Sequence, residues 1–369
     1  MKHKTIAILL LSFFVSALGT AQNKPLEIAV IGLSHGHVQW VFNSEKEGVV
    51  SIVGVVEPNQ DLVQQYSKQF GTPLHLFFDT IEDMLAEVKP EAVCAFGTIY
   101  QHLEIVEKAA PLGIHVMVEK PLAVSLEHAK KMEVLAKKHK IHLLTNYETS
   151  WYATNHKAHE FVNKDSIGAI RKVVIRDGHK GPKKIGVNKE FLEWLTDPVL
   201  NGGGAITDFG CYGANLMTWL MKGEKPQTVT AVTQQLQVEN NPLVDDDATI
   251  ILKYATANAT IQASWDWPIG RKDMEIYGLN GAIYANNPYD LRVRIAEGYS
   301  DFTETTHTFG ELKAPFDDPF SFFAAVINEE ITLKPFGLYT LENNIVVMEI
   351  LDAAIRSSKT DQTVKIDLN

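Results

Sequence analysis

Lys120, Asp208 and Tyr212 are the residues whose types and settings most directly support proton transfer. Lys120 closes an apolar run as Val118-Glu119-Lys120-Pro121, and Pro121 restricts the backbone that aims it. Asp208 and Tyr212 follow Gly202-Gly203-Gly204 and stand four apart, the spacing that places two side chains on one helix face. Glycines before such a helix let it approach another backbone closely. A lysine, a carboxylate and a phenol gathered together can hold an oxygen, balance charge and exchange a proton. Singly, each also has an ordinary reading: a solvated turn lysine, an acid stabilised at a helix N-terminus, and a half-buried tyrosine.

A second group precedes them. The turn Gly32-Leu33-Ser34-His35-Gly36-His37 follows the apolar run Leu26–Ile31 at once, which puts backbone N–H groups and a helix N-terminus where a pyrophosphate can sit. The G-x-G-x-x-G pattern is incomplete, because Ser34 and His37 stand where its second and third glycines belong. Glu57 ends the next run, roughly the ~20 residues on where an acid meets a ribose diol. A carboxylate there accepts from both hydroxyls and repels a 2′-phosphate, so NAD is favoured over NADP.

Further candidates lie downstream. His179 and Lys180, in Gly178-His179-Lys180-Gly181-Pro182, end a strand pattern and can reach a substrate. Trp267 and Arg271, near Trp265 and Asp266, offer an aromatic wall and a polar handle, although strand-end packing and a solvated loop are the favoured account of them. Tyr147 and Trp151 mark the expected domain junction. His156 and His159 are three apart on a helical pattern, but no third ligand has suitable spacing, so no metal is expected.

The elements that must position these residues alternate. Short β-branched runs at 26–31, 51–56, 92–96, 115–118 and 141–144 are separated by amphipathic stretches, the signature of a parallel sheet covered on both faces. Ser125 is the expected N-cap of a helix running through His139. After Tyr147 the runs 249–254 and 259–264 flank a short polar turn with no helix between, which predicts an antiparallel hairpin. Helices are expected over 318–328 and 341–358. The fold class is therefore α/β, with a second sheet following the first.

With 369 residues the chain has room for two domains. Residues 1–21 read as a signal peptide: Lys2 and Lys4, then the apolar stretch Ile6 to Leu18, then Gly19-Thr20-Ala21 before Gln22. This predicts an exported, periplasmic protein with no membrane anchor after processing. The net charge of −11 becomes −13 once Lys2 and Lys4 are removed, and no basic block remains to grip a nucleic acid. The two cysteines, Cys94 and Cys211, are too few for a disulfide framework and read as buried apolar residues.

Together these segments resemble the glucose-fructose oxidoreductase, inositol dehydrogenase and MocA group, the Gfo/Idh/MocA family. The resemblance spans the mature chain: Leu26–Gly32, Glu57-Pro58-Asn59, His102 to Pro121, Gly202 to Tyr212, Ile276 to Gly281, and Asn343 to Ser358. It implies a Rossmann dinucleotide-binding domain over 22–147. A substrate-binding α/β domain with a large open, mainly antiparallel sheet would follow over 148–369, its last helix packing back on the first domain. It also implies a carbohydrate substrate and a homo-oligomer. On this resemblance Lys120 is the active-site lysine and Asp208 its partner, and Tyr212 stands where many members carry histidine. Gly32, Ser34, His35, Gly36, His37, Glu57, Thr98, His102, Glu119 and Lys120 make the cofactor site, and His179, Lys180, Trp267 and Arg271 the substrate side. The expected mechanism has Tyr212 take the proton of a sugar hydroxyl, with Lys120 lowering the phenol pKa. The same groups would serve a glycosidase acting by transient oxidation and elimination, and a relative lacking cofactor binding would be a non-catalytic sugar binder.

Overall fold

The computed structural model describes residues 24–368, so the signal segment read at 1–21 lies outside the described residues. Six parallel strands form the first sheet: β1 (Leu26–Ile31), β2 (Val50–Val56), β3 (Phe77–Phe78), β4 (Ala92–Ala95), β5 (His115–Glu119) and β6 (Leu143–Asn146). Their spatial order is β3-β2-β1-β4-β5-β6, which reverses direction at β1. The helices α1 (Val38–Lys46), α2 (Gln60–Phe70), α3 (Ile81–Glu87), α4 (His102–Ala109) and α5 (Leu126–His139) connect them. Every residue of β4 and β6 is buried, as unbroken apolar runs demand when helices cover both faces. Ser125 caps α5 through a bond from His128 N at 3.2 Å, and the helix ends at His139 as its pattern predicts. The last strand starts at Leu143 instead of Ile141, because β5 pairs Val116 with Leu143.

Beyond α6 (Ala153–Asn163), a second sheet of nine strands is assembled from β7 (Ile170–Gly178), β8 (Thr228–Gln234), β9 (Asp247–Lys253), β10 (Asn258–Ser264), β11 (Arg271–Gly278), β12 (Gly281–Ala285), β13 (Asp290–Ala296), β14 (Phe302–Thr308) and β15 (Val364–Lys365). The order is β14-β13-β12-β11-β7-β10-β9-β8-β15. The expected hairpin is β9–β10, and β7 with β10 is a parallel pair in an otherwise antiparallel sheet. The remaining helices are α7 (Pro182–Ile185), α8 (Lys189–Leu195), α9 (Ala205–Asp208), α10 (Gly210–Leu220), α11 (Pro319–Ile327) and α12 (Leu341–Thr360). α12 packs against α10, β8 and α5. Polar contacts fix it there: Tyr147 Oη donates to Asn344 Oδ1 at 2.9 Å, and Asn215 Nδ2 donates to Asn343 Oδ1 at 3.0 Å.

The segment carrying Asp208 and Tyr212 differs from the single helix expected of it. It is two pieces, α9 and α10, broken at Phe209. The glycines act as the spacing suggests. Gly202 has φ +82, and a Cβ on Gly204 would lie 1.8 Å from Asp245 O. The Asp245 carboxylate accepts from Gly204 N at 3.1 Å and Ile206 N at 2.7 Å, satisfying donors at the start of α9.

Gly204→Ala should therefore lower stability by about 2–3 kcal/mol, because a backbone carbonyl cannot yield to the methyl group as a flexible side chain would. Urea denaturation would show a lower midpoint with an unchanged slope.

Candidate active site

Lys120 leaves the carboxyl end of β5 and reaches α9. Its Nζ is ion-paired with Asp208 Oδ1 and donates to Asp208 O at 3.1 Å, and both side chains are buried. The other carboxylate oxygen accepts from Trp265 Nε1 at 2.9 Å. Burial works against the Lys120 ammonium, but the Asp208 charge and hydrogen bond outweigh it and hold the lysine above its ordinary value. Burial likewise raises Asp208, and Lys120 prevails, holding the carboxyl below its usual range. His102, fully buried, lies beneath this turn with Nδ1 3.1 Å from Leu122 O, so it braces the lysine loop.

Tyr212 is buried beside the pair, its ring 5.2 Å from Lys120 Nζ and 4.9 Å from Lys272 Nζ. Both amines lie over the ring. Burial, followed by Glu148 and Cys211, raises the phenol well above 10. The expectation that Lys120 lowers it is thus reversed, because the lysine charge is already neutralised by Asp208. Among the described residues the Tyr212 hydroxyl makes no hydrogen bond.

The second sheet supplies groups that the sequence did not single out. Asp177, on β7, is paired in register with Lys272 of β11. It is 1% exposed, and its Oδ2 has no hydrogen-bond partner among the described residues. Burial raises its carboxyl well above the usual range, with Lys272 and Lys120 opposing and Asp273 and Glu148 assisting. Lys272 also pairs with Glu148, which accepts from Tyr152 Oη at 2.5 Å.

Of the expected substrate residues, His179 joins this cluster. Its ring meets Phe209 edge-on at 5.0 Å, and burial, with Lys272 and Lys120 assisting and Asp208 opposing, leaves its pKa below the ordinary value. Gly181 N donates to its Nδ1 at 3.0 Å, which leaves the ring proton on Nε2. Lys180 is exposed. Arg271 turns away, bound to Asp273 at 2.6 and 2.9 Å and stacked 4.9 Å from the Trp267 ring. Adjacent strand residues point to opposite faces, so when Lys272 faces Tyr212 its neighbour Arg271 cannot. Trp267 donates to Asp177 O at 3.3 Å, and it is Trp265 that reaches the ion pair.

At the cofactor end, Gly32 has φ +82 and lies so close to the end of β4 that a Cβ would be 2.5 Å from Gly97 N. Space around Gly36 is open. Glu57 is buried at the end of β2 and accepts from Leu33 N at 2.8 Å and Asn59 N at 2.9 Å. It lines a cavity of about 360 Å³ with Gly32, Ser34, Asp79, Gln101 and Glu190. Thr98 caps the turn 99–101 through Gln101. These features fit a dinucleotide: a backbone cradle, a helix start and a carboxylate for the ribose.

The two histidines of the turn take different positions. His35 is buried under Phe191 and its Nδ1 accepts from His37 N at 3.1 Å; burial pulls its pKa down to about 3. His37 stacks on Trp40 at 3.8 Å and places Nδ1 3.1 Å from Glu119 Oε2. Asn146 Nδ2 donates to the other Glu119 oxygen at 2.8 Å. Potential metal-ligating atoms of His35, His37 and Glu119 lie within 4.8 Å of one another. Because His35 Nδ1 is an acceptor, its Nε2 carries the proton and is a donor toward Glu119 instead of a ligand. His156 and His159 pack on Trp219, the latter stacked at 3.9 Å. Cys94 and Cys211 are free and buried, and burial raises both thiols.

Residues 26–147 match the family model for oxidoreductases with an NAD-binding Rossmann fold, and residues 155–284 match the GFO/IDH/MocA C-terminal domain. The chain belongs to the Gfo/Idh/MocA family. It is 22% identical over 358 residues to the D-xylose 1-dehydrogenase [NADP(+)] of Haloarcula marismortui, covering 94% of this chain and 95% of that one. The inositol 2-dehydrogenase of Rhizobium meliloti is 21% identical over 303 residues, with 78% of this chain and 84% of that one covered. Among solved structures, the aldose-aldose oxidoreductase from Caulobacter crescentus shares the fold with a TM-score of 0.77, at 22% identity over 93% of this chain and all of that one.

Removing one member of a buried ion pair costs about 3–5 kcal/mol, whereas removing both charges costs far less. Lys120→Met should therefore destabilise the protein strongly, and adding Asp208→Asn should recover part of the loss. A double-mutant cycle from urea denaturation reads this coupling directly.

Proposed function

We propose that the chain oxidises a carbohydrate hydroxyl, with NAD as the hydride acceptor bound along the carboxyl edge of the first sheet. The observation that carries this reading is the convergence of Lys120, Asp208, Tyr212, Lys272 and Asp177 between that edge and the second sheet. The relatives named above act on sugars and a cyclitol by their names, which agrees. None of them is a glycosidase, and we retain the dehydrogenase reading over transient oxidation with elimination.

The roles follow from acidity. The same burial raises both free acids of the site. It takes the Tyr212 phenol further above its ordinary value and raises the Asp177 carboxyl as well, but a carboxyl starts several units below a phenol, so Asp177 is the better placed of the two to serve as general base. Asp177 Oδ2 accepts the proton of the reacting hydroxyl. The neutral Tyr212 hydroxyl donates to the reacting oxygen, and the Lys120 ammonium, positioned by Asp208, offers a further N–H donor beside it as a carbonyl forms. His179 holds a neighbouring hydroxyl.

Five carboxylates, Glu57, Asp79, Glu82, Glu104 and Glu190, line the expected ribose cavity. Its lysine, Lys108, is engaged at 2.6 Å with Glu82 and 2.5 Å with Glu104. A 2′-phosphate would be repelled, which supports NAD in spite of the NADP named for the Haloarcula relative. Asn188 Nδ2 and Trp194 Nε1, flanking and within α8, donate to Ser34 at 3.1 and 3.0 Å and cover the glycine turn. A cofactor retained under α8 suits an exported, periplasmic enzyme, where free dinucleotide is scarce. In the described residues no helix is long and apolar enough to cross a membrane.

Incubation of the mature protein with NAD and a panel of sugars and aryl glycosides should yield NADH and a keto-sugar. Aglycone release without NADH would replace this reading by the glycosidase one. Asp177→Asn should lower kcat by roughly 10²–10⁴-fold, and Tyr212→Phe by about tenfold; the reverse ranking would return the base role to Tyr212. Glu57→Gln should narrow the preference for NAD over NADP by roughly tenfold, measured as the ratio of kcat/KM values.

A further inference from the structure

A cavity of about 450 Å³ adjoins the catalytic cluster through Glu148, which is one of its walls and also the partner of Lys272. Trp40 also forms part of the lining while stacking on His37, the neighbour of Glu119. The cavity thus borders the cluster at Glu148 and is separate from the ribose cavity, with which it shares no lining residue. Aromatic rings dominate it: Trp40, Trp151, Tyr152, Tyr289 and Phe320. Its charged lining is entirely acidic, from Glu47, Glu148, Glu311, Asp317 and Asp318, with no lysine or arginine. Pockets of this size, mostly apolar with a few polar groups, are built to orient a small ligand.

We infer that this cavity holds a second, uncharged sugar ring joined to the one that is oxidised. The inference rests on the carbohydrate reading above and narrows it to glycosides and short oligosaccharides. Flat rings cover the apolar C–H faces of a pyranose, and ionised carboxylates can only accept hydrogen bonds, which hydroxyls supply. An anionic ring would place like charges together with no cation to relieve them. Tyr289 is the ring best suited to a test, because it is 46% exposed and takes no part in the catalytic cluster.

The test compares glucose with maltose, cellobiose and a glucuronic-acid-terminated disaccharide, by calorimetry and by NADH formation. The wild type should bind a neutral disaccharide about tenfold more tightly than glucose and reject the acidic one. Tyr289→Ala, and separately Leu312→Trp to fill the cavity, should abolish that advantage while glucose binding and turnover stay unchanged. Glucose turnover with no disaccharide advantage in the wild type would overturn the inference alone, as would an advantage that survives both variants. Disaccharide binding that is lost in both variants, without NADH from any sugar, would leave the cavity assigned and overturn the oxidoreductase reading.

Discussion

The buried pair of Lys120 and Asp208 is the constraint on which the rest of the site depends. It joins the edge of the first sheet to α9, and through Trp265 it is tied to the end of β10. Two charges removed from water are tolerable only when their geometry is good and their remaining hydrogen-bonding capacity is used. The structure meets that condition from several directions at once. Lys120 donates to both a carboxylate and a carbonyl of Asp208, the indole takes the second carboxylate oxygen, and glycines bring α9 close enough for the contact to form.

Once those charges are committed to each other, the lysine does not bring the phenol beside them down: burial dominates and Asp208 adds to the rise. Two lysine amines lie over the Tyr212 ring, and it is its face that they approach. The dry surroundings then act on whatever acid lacks a partner. A carboxyl and a phenol start several pKa units apart, so an upward displacement of both leaves the carboxyl the stronger acid, and the roles proposed for Asp177 and Tyr212 rest on that difference.

The departures from the glycine fingerprint also have a physical account. His37 replaces a glycine at the start of α1 and bonds the glutamate that precedes Lys120, linking the nucleotide turn to the catalytic turn. Ser34 replaces another and becomes the anchor for Trp194 and Asn188. Substitutions that look like losses in a pattern are here contacts, within the first domain for His37 and across to α8 for Ser34. Beyond them, the cavity beside Glu57 and the aromatic cavity beside Glu148 are both lined by several carboxylates, which would repel ligands carrying extra negative charge.

The parallel sheet, the β9–β10 hairpin, the Ser125 cap, the close approach at Gly204 and the candidacy of Glu57, Lys120, Asp208 and Tyr212 were legible in the amino-acid order. Apolar period, turn chemistry and glycine placement are local properties, and local spacing reports them. Asp177, Lys272 and Glu148 were not legible, because which strand residue faces a cleft depends on register between β7 and β11, and a shift of one residue exchanges Lys272 for Arg271. The break at Phe209, the role of Trp265 and the reversed acidity of Tyr212 depend likewise on contacts between segments far apart in the chain. Sequence by itself determined the family, the layered fold and the residue types available for chemistry; only tertiary structure decided which of them share a dry site, since burial and pairing between distant segments set their charge and their reach.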